Sequence, residues 1–279
     1  MTIHPSAIIY DGAVIHDEAT IGPLAVIGAN VRIGKGTSVG PHAVIDGHTE
    51  IGEDCKIFAG ASIGLDPQDF GYKGEPTGVI IGDRVTVREY ATIHRATKEG
   101  VTTIGDDCFL MNYVHIAHNC QIGKGVIMAN GATLAGYVNV GDGAVMSGYV
   151  ILHQHLRVGR LCMLSGMTGS RLDLPPFTTL DGRPAQVRGI NVIGMRRSKL
   201  SAEVRSAIKE AYRVLYRSGL NHTNALLKIE NEIQPLAEIK EIVSFYRDSK
   251  RGVAGGIDEG MEATETRDGG VMEEAGAAI

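Results

Sequence analysis

Ile21-Gly22-Pro23-Leu24-Ala25-Val26-Ile27-Gly28-Ala29-Asn30-Val31-Arg32-Ile33-Gly34-Lys35-Gly36-Thr37-Ser38-Val39-Gly40 decides the fold. An aliphatic residue returns at every sixth position, at Ile21, Ile27, Ile33 and Val39. Glycine follows it, and a small or β-branched residue stands four places on, at Ala25, Val31 and Thr37. A beat of six fits a coil that turns a corner once per hexad. The aliphatic side chain fills the interior and the small one lies where the corner narrows. Glycine permits the unusual backbone angles of a tight corner. Three hexads close one triangular coil, so residues 18 apart stack in columns and successive coils pair as parallel strands.

The beat reaches back to Ile3 and forward to Ile63, restarts at Ile81, Val87 and Ile93, and runs again from Ile104 to Leu164. Ile63 and Ile81 are 18 apart where 6 is expected, so a loop leaves the coil around residues 65–78. Ile93 and Ile104 are 11 apart, which places a shorter loop around 96–100. Insertions at solenoid corners often carry function. Past Leu164 the beat fades and Pro175-Pro176 marks an exit. From about Ser198 the spacing turns helical, with Ser201 as N-cap and Gly219 as stop, followed by helices near 223–232 and 236–249. The expected organisation is a coil over 1–190, a helical domain over 191–250, and a disordered acidic tail over 251–279.

Composition agrees. The chain has 279 residues, 43% apolar, yet only 5% aromatic with no Trp, and 37 glycines, which suits thin repeated layers better than one thick core. The net charge of -5 is supplied entirely by residues 251–279, so the body is neutral and gives no sign of nucleic-acid binding. No apolar run approaches ~18 residues, so no membrane span is expected. Met1-Thr2-Ile3-His4-Pro5 lacks the basic-then-apolar start of a secretory signal, and a cytoplasmic location is expected. Cys55, Cys108, Cys120 and Cys162 all fall in the small-residue slot and are expected to be inert core thiols.

Column arithmetic isolates one histidine cluster. His118, Gly136 and Gln154 are 18 apart and share a column; Asn119, Tyr137 and His155 form the next. A base, a glycine with a free backbone N–H and an amide on one wall make an acyl-transfer site; a surface cluster without chemistry stands as the alternative. His115, His118, His153 and His155 could also be imagined as zinc ligands, although His153 and His155 lie off the His118 line. On the first long helix, Arg205, Lys209, Arg213 and Arg217 are spaced by four and share a stripe. That stripe reads as a landing surface for an acidic partner or as an ordinary solvated face.

The segments His115–Cys120 and Met128–Gly136 resemble the active-site stretch of the UDP-N-acetylglucosamine acyltransferases. So do Gly74-Glu75-Pro76-Thr77, Thr92-Ile93-His94-Arg95, His153-Gln154, Asp173-Leu174-Pro175-Pro176, Gly189-Ile190-Asn191 and Gly194-Met195-Arg196-Arg197, in order over about residues 1–250. The resemblance implies a mainly β fold, a left-handed parallel β-helix of hexapeptide repeats with a C-terminal α-helical subdomain. It implies a homotrimer with sites in clefts between neighbouring coils. The implied donor is a hydroxyacyl chain on acyl carrier protein, the implied acceptor the glucosamine 3-hydroxyl of UDP-N-acetylglucosamine, and the implied step the first of lipid A synthesis, with no cofactor and no metal. His118 matches the catalytic base, Gly136 the oxyanion donor, and Asn119 the residue beside the base. Gln68, Asp69, His115, His153, Gln154, Asn191, Arg196 and Arg197 match substrate-contacting positions. Gly166 matches the position that limits acyl length, and the basic stripe becomes the carrier-protein dock.

The sequence departs from the family at Asn119, often aspartate, at Gly71, usually lysine with Lys73 now nearby, and at Tyr137, often histidine. These departures leave room for an N-acyltransferase acting on an amino-sugar nucleotide. A zinc-dependent protein resembling the hexapeptide-repeat carbonic anhydrases, and a non-catalytic scaffold, are the readings from other classes.

Overall fold

The computed structural model describes residues 2–256. Strands of mostly two residues follow one another at the hexad beat, starting with Thr2–Ile3, Ile8–Ile9 and Val14–Ile15. They sort into three sheets of 11, 9 and 8 strands, parallel and taking every third strand except where the largest sheet closes. Register follows the column rule: Thr2 pairs with Thr20, Ile8 with Val26 and Val14 with Arg32. The result is a three-faced left-handed β-helix. Its interior is one continuous cluster running from Ala19 to Val187, with Ile27, Ile45, Ile63, Ile93, Leu110 and Ile116 fully buried. The four cysteines are buried there and free, and burial pushes the Cys162 thiol up to about 12.

The glycines do a different job from the one expected. Gly64 apart, at φ 77°, positive φ falls not on the glycine after the aliphatic residue but two places later, on Leu24, His42, Tyr90, Tyr113 and Tyr149 along one corner and Asp54, Arg84, Asp107 and Leu161 along another. The glycines after the aliphatics are small because the next coil is close. A Cβ on Gly34 would stand 2.5 Å from the Gly52 carbonyl oxygen, and one on Gly22 3.0 Å from that of Val39. Their constraint is space between stacked coils rather than dihedral freedom.

The first loop leaves after the strand Ser62–Leu65 and returns at Gly78–Ile81; the second lies between Thr92–His94 and Val101–Ile104. The first is pinned at its root: Arg95 donates to the Tyr72 hydroxyl at 2.9 Å and the Gly64 carbonyl at 3.0 Å, and pairs with Asp66.

The coil ends in an antiparallel pair, Thr178–Asp181 with Gln186–Ile190. Helices follow: α1 (Val192–Arg197), α2 (Ala202–Arg217), α3 (His222–Glu232) and α4 (Ala237–Arg247). The short α1 precedes the start expected near Ser198; glycine at 194 hid it, and Asn191 caps it by accepting from the Gly194 N–H at 2.9 Å. Ser201 caps α2 as expected. The bundle closes over the coil through Leu161, Phe177, Ile208 and Tyr212, whose hydroxyl donates to the Pro176 carbonyl at 2.6 Å. Arg160 adds an ion pair to Glu241 at 2.8 Å.

The tail is ordered for its first residues, against expectation. Val253 and Gly256 bridge to Asp173 and Val187, and Ala254 is buried. The buried Asp173 carboxylate gathers them by accepting from Ser249 at 2.8 Å while pairing with Arg157 at 3.0 Å. The rest of the expected disordered tail, 257–279, lies outside the described residues.

Candidate active site

The strand pairing His115↔Thr133 and Thr133↔Ile151 fixes the coil register, so the corner after it stacks His118, Gly136 and Gln154. Backbone bonds close the stack: the Tyr137 N–H reaches the His118 carbonyl at 3.0 Å, and the His155 N–H reaches that of Gly136 at 2.9 Å. Asn119, Tyr137 and His155 occupy the left-handed position of this corner, at φ of 59°, 62° and 61°. Asn tolerates that conformation well; Tyr and His are held in it by the coils above and below. The Tyr137 ring stacks on His155 at 4.6 Å and meets His118 edge-on at 5.2 Å.

Gly136 lies under the His118 ring. A Cβ there would meet His118 Cε1 at 2.4 Å and Nε2 at 2.6 Å. The Gly136 residue is buried, yet its N–H has no hydrogen-bond acceptor among the described residues, while the flanking Ala135 and Tyr137 amides are both spent on carbonyls. An unpaired buried donor costs roughly 1–3 kcal/mol. It is the kind of group that an arriving oxyanion satisfies.

Asn119 settles which nitrogen of His118 carries the proton. Its Oδ1 accepts from the Thr97 backbone N–H at 2.9 Å, and its Nδ2 donates to the Glu99 carbonyl at 3.0 Å. Two backbone partners of opposite polarity therefore orient the amide chemically. The His118 Nδ1 lies 3.0 Å from the same Oδ1, which can only accept, so Nδ1 is the protonated nitrogen. Nε2 is left with its lone pair on the Gly136 side. Asn119 thus joins the second loop to the base. Its involvement with that loop was countable: Arg95 stands at the same corner in the coil before His118, and the inserted residues follow it directly.

Below the corner, His115 accepts or donates at 2.7 Å with the Thr92 hydroxyl and sits edge-to-face with His94 at 5.0 Å. His94 is buried with its Nδ1 unpartnered; desolvation first, then the neighbouring imidazoles, depress it to about 4. Burial and His118 lower His115 as well. Both therefore stay uncharged near neutrality. Sequence reasoning met His94 only within the family-like phrase 92–95 and gave it no role of its own, because a lone histidine on a buried strand carries no outward signal.

The first loop brings Asp69 within electrostatic reach of His118 and Lys98. Its carboxyl is held low chiefly by the Gly71 N–H, which donates at 2.8 Å, with the Thr97 hydroxyl nearby. Gln68 beside it is exposed, as are His153 and Gln154. Arg251 of the C-terminal segment reaches the His153 Nδ1 at 3.3 Å. Between that segment and the second loop runs a groove of about 670 Å³, lined by Lys98, Glu99, Asn119, Tyr137, His155 and Arg251. No three His, Cys, Asp or Glu side chains converge on a point suited to a metal ion among the described residues.

Other expected positions lie elsewhere. Asn191 spends its side chain on the α1 cap and on the Leu161 carbonyl at 2.8 Å, so it sits at a different corner from His118. Arg196 and Arg197 are exposed in the last turn of α1, and neither has an ion-pair partner among the described residues. Gly166 lies at the corner that carries Tyr90 and Tyr149; its φ is ordinary and a Cβ would find only the Gly148 oxygen at 3.6 Å. The fold does not need a glycine there. Of the stripe on α2, Lys209 and Arg217 are exposed, Arg213 pairs with Glu210 at 2.6 Å, and Arg205 folds back onto the Leu200 carbonyl.

Comparison with known proteins bears on all of this. The family model described as UDP N-acetylglucosamine O-acyltransferase, domain 2, matches residues 173–254, and the bacterial transferase hexapeptide model matches 12–47 and 102–136. An acyl-[acyl-carrier-protein]–UDP-N-acetylglucosamine O-acyltransferase of Thermodesulfovibrio yellowstonii is 47% identical over 253 residues, covering 90% of this chain and 98% of its own length. A homonymous protein of Syntrophobacter fumaroxidans is 46% identical over 256 residues, 91% of this chain and 99% of its own. The crystal structure of the Francisella novicida UDP-N-acetylglucosamine acyltransferase superposes with a TM-score of 0.88 at 38% identity, covering 91% of this chain and 94% of that one.

Proposed function

The chain belongs to the UDP-N-acetylglucosamine O-acyltransferase family, and from that membership we propose that it moves a 3-hydroxyacyl chain from acyl carrier protein to the glucosamine 3-hydroxyl of UDP-N-acetylglucosamine, opening lipid A synthesis, with His118 as general base. The observation that carries the proposed mechanism is the His118 tautomer. With Nδ1–H committed to Asn119, Nε2 is free to take the proton of a sugar hydroxyl as its oxygen attacks the thioester carbon. Negative charge then builds on the thioester oxygen, and the unpaired Gly136 N–H receives it. Collapse expels the carrier's thiolate, which recovers the proton from the imidazolium. No bond from acyl group to enzyme is formed.

His115, Gln154 and His153 border the same wall and contact substrate in this reading, while Gln68 and Asp69 reach in from the first loop toward the sugar. Asn191, Arg196 and Arg197 stand at another corner of the same chain. Their expected role at the uridine and phosphates is therefore met only if a second copy supplies them, which supports the homotrimer with sites between coils. Gly166 leaves room for the acyl chain, since nothing in the coil itself excludes a side chain there. Arg205, Lys209, Arg213 and Arg217 receive the acidic carrier protein. No helix among the described residues is long and apolar enough to cross a membrane, and the proposed site of action is the cytoplasm.

The test is product mass. Purified enzyme is given 3-hydroxyacyl carrier protein with UDP-N-acetylglucosamine or with its 3-amino counterpart. Acylation of the 3-hydroxyl acceptor is expected; acylation of the amino sugar alone would move the protein to the N-acyltransferase reading, and acylation of neither would end both.

A further inference from the structure

We propose that the acidic C-terminal segment, residues 257–279, docks on the basic face of α2 and competes there with the acidic carrier protein. The inference rests on the assignment of that face as the carrier dock. Three observations carry it. The described chain ends between the closing strand and α2: the Val187 N–H of that strand bonds the Gly255 carbonyl at 2.9 Å, while on α2 the Tyr216 hydroxyl donates to the Ala254 carbonyl at 3.1 Å and a Cβ on Gly256 would stand 3.1 Å from Tyr216 Cγ. Tyr216 adjoins Arg217, so the segment starts at one end of the stripe. Its length suffices. At ~3.3 Å per extended residue it spans up to ~75 Å, against ~24 Å for the whole of α2. Its charge is complementary: seven acidic residues against Arg267 alone. Lys209 and Arg217 are exposed on α2 and have no ion-pair partner among the described residues.

Each exposed pair is weak and screened by salt. Tethering changes the balance, because a segment with a millimolar dissociation constant is held at an effective concentration of a few millimolar. The apparent KM for the carrier-bound donor is then raised about three- to fivefold at low salt, with kcat unchanged because saturating carrier displaces the segment.

The test uses the full chain with the seven acids of 257–279 changed to their amides. Its KM for 3-hydroxyacyl carrier protein falls about three- to fivefold relative to the native chain at about 0.02 M salt, and the two converge at about 0.5 M. A donor carrying the same acyl group on pantetheine, without the protein, shows no difference. Equal carrier KM values for the two chains at low salt would overturn the proposal. A labelled peptide of residues 257–279 separates this outcome from failure of the dock itself. It binds the amidated chain and loses that binding when Lys209→Glu and Arg217→Glu are added; undiminished binding also overturns the proposal. If those two changes leave the amidated chain's carrier KM unaltered, the dock assignment fails, whatever the peptide does.

Discussion

Alanine at position 136 probes the site with a single methyl group. Gly136 has no left-handed φ, so alanine can adopt its backbone. The new Cβ, however, would lie 2.4 Å from His118 Cε1 and 2.6 Å from Nε2. Ordinary contact lies near ~3.4 Å or beyond, so the imidazole must retreat by about 1 Å. A displacement of that size in a reacting group lowers a rate about 100-fold. Stability changes little, because His118 is half-exposed and its ring can swing outward. The loss is at most the bond to Asn119, about 1 kcal/mol, or roughly 2–4 °C in melting temperature. The assay is kcat with 3-hydroxyacyl carrier protein and UDP-N-acetylglucosamine, beside a thermal melt. Gly166→Ala is the control, since its methyl would find only an oxygen at 3.6 Å; it should melt like the native chain and keep its kcat with short acyl donors. A Gly136→Ala enzyme turning over within about threefold of native would refute the placement of His118 over Gly136, since a 1 Å shift should not be so cheap.

Asn119→Asp keeps the acceptor for His118 and Thr97 but sets a carboxylate oxygen against the Glu99 carbonyl in place of Nδ2. Amide exchange across the second loop should quicken, because the carboxylate repels the carbonyl it now faces; exchange rates equal to native would speak against the coupling. His94 is depressed from 6.5 to about 4 in the fold. Its contribution to stability is therefore complete above pH 6.5 and is lost as pH falls toward 4, at about 1.4 kcal/mol per unit. Melting temperature should fall over that window, and the slope should flatten in His94→Gln; an unaltered slope would contradict the assignment. Gly34→Ala should cost about 2 kcal/mol or more through overpacking, since its Cβ would stand 2.5 Å from the Gly52 oxygen; a melting point equal to native would show that the coils are less tightly spaced.

The coil was legible because its determinant is local and repeated. Each hexad states the same rule, and an error in one is outvoted by its neighbours. Column arithmetic carried the stacking of that corner equally far, since residues 18 apart put His118, Gly136 and Gln154 on one wall. What it could not give was direction. The amide of Asn119 is oriented by two carbonyl-and-amide partners in an inserted loop, and insertions break the very period that makes the rest readable. The role of glycine was misassigned for a related reason. A sequence shows that a side chain is missing but not whether angle or space demanded its absence; Gly34 needs space, while Leu24 takes the left-handed angle without being glycine. Helix α1 escaped notice because six residues containing Gly194 carry too little periodicity to register.

The account stands most directly on the free nitrogen of His118. Steady-state transfer from 3-hydroxyacyl carrier protein to UDP-N-acetylglucosamine by His118→Ala measures it, with a melt to show that the coil is intact. The expected result is a fall in kcat of about 10²–10⁴ at near-native melting temperature. Near-native turnover by that variant would mean that another group removes the hydroxyl proton and that the stacked corner is not where the chemistry happens.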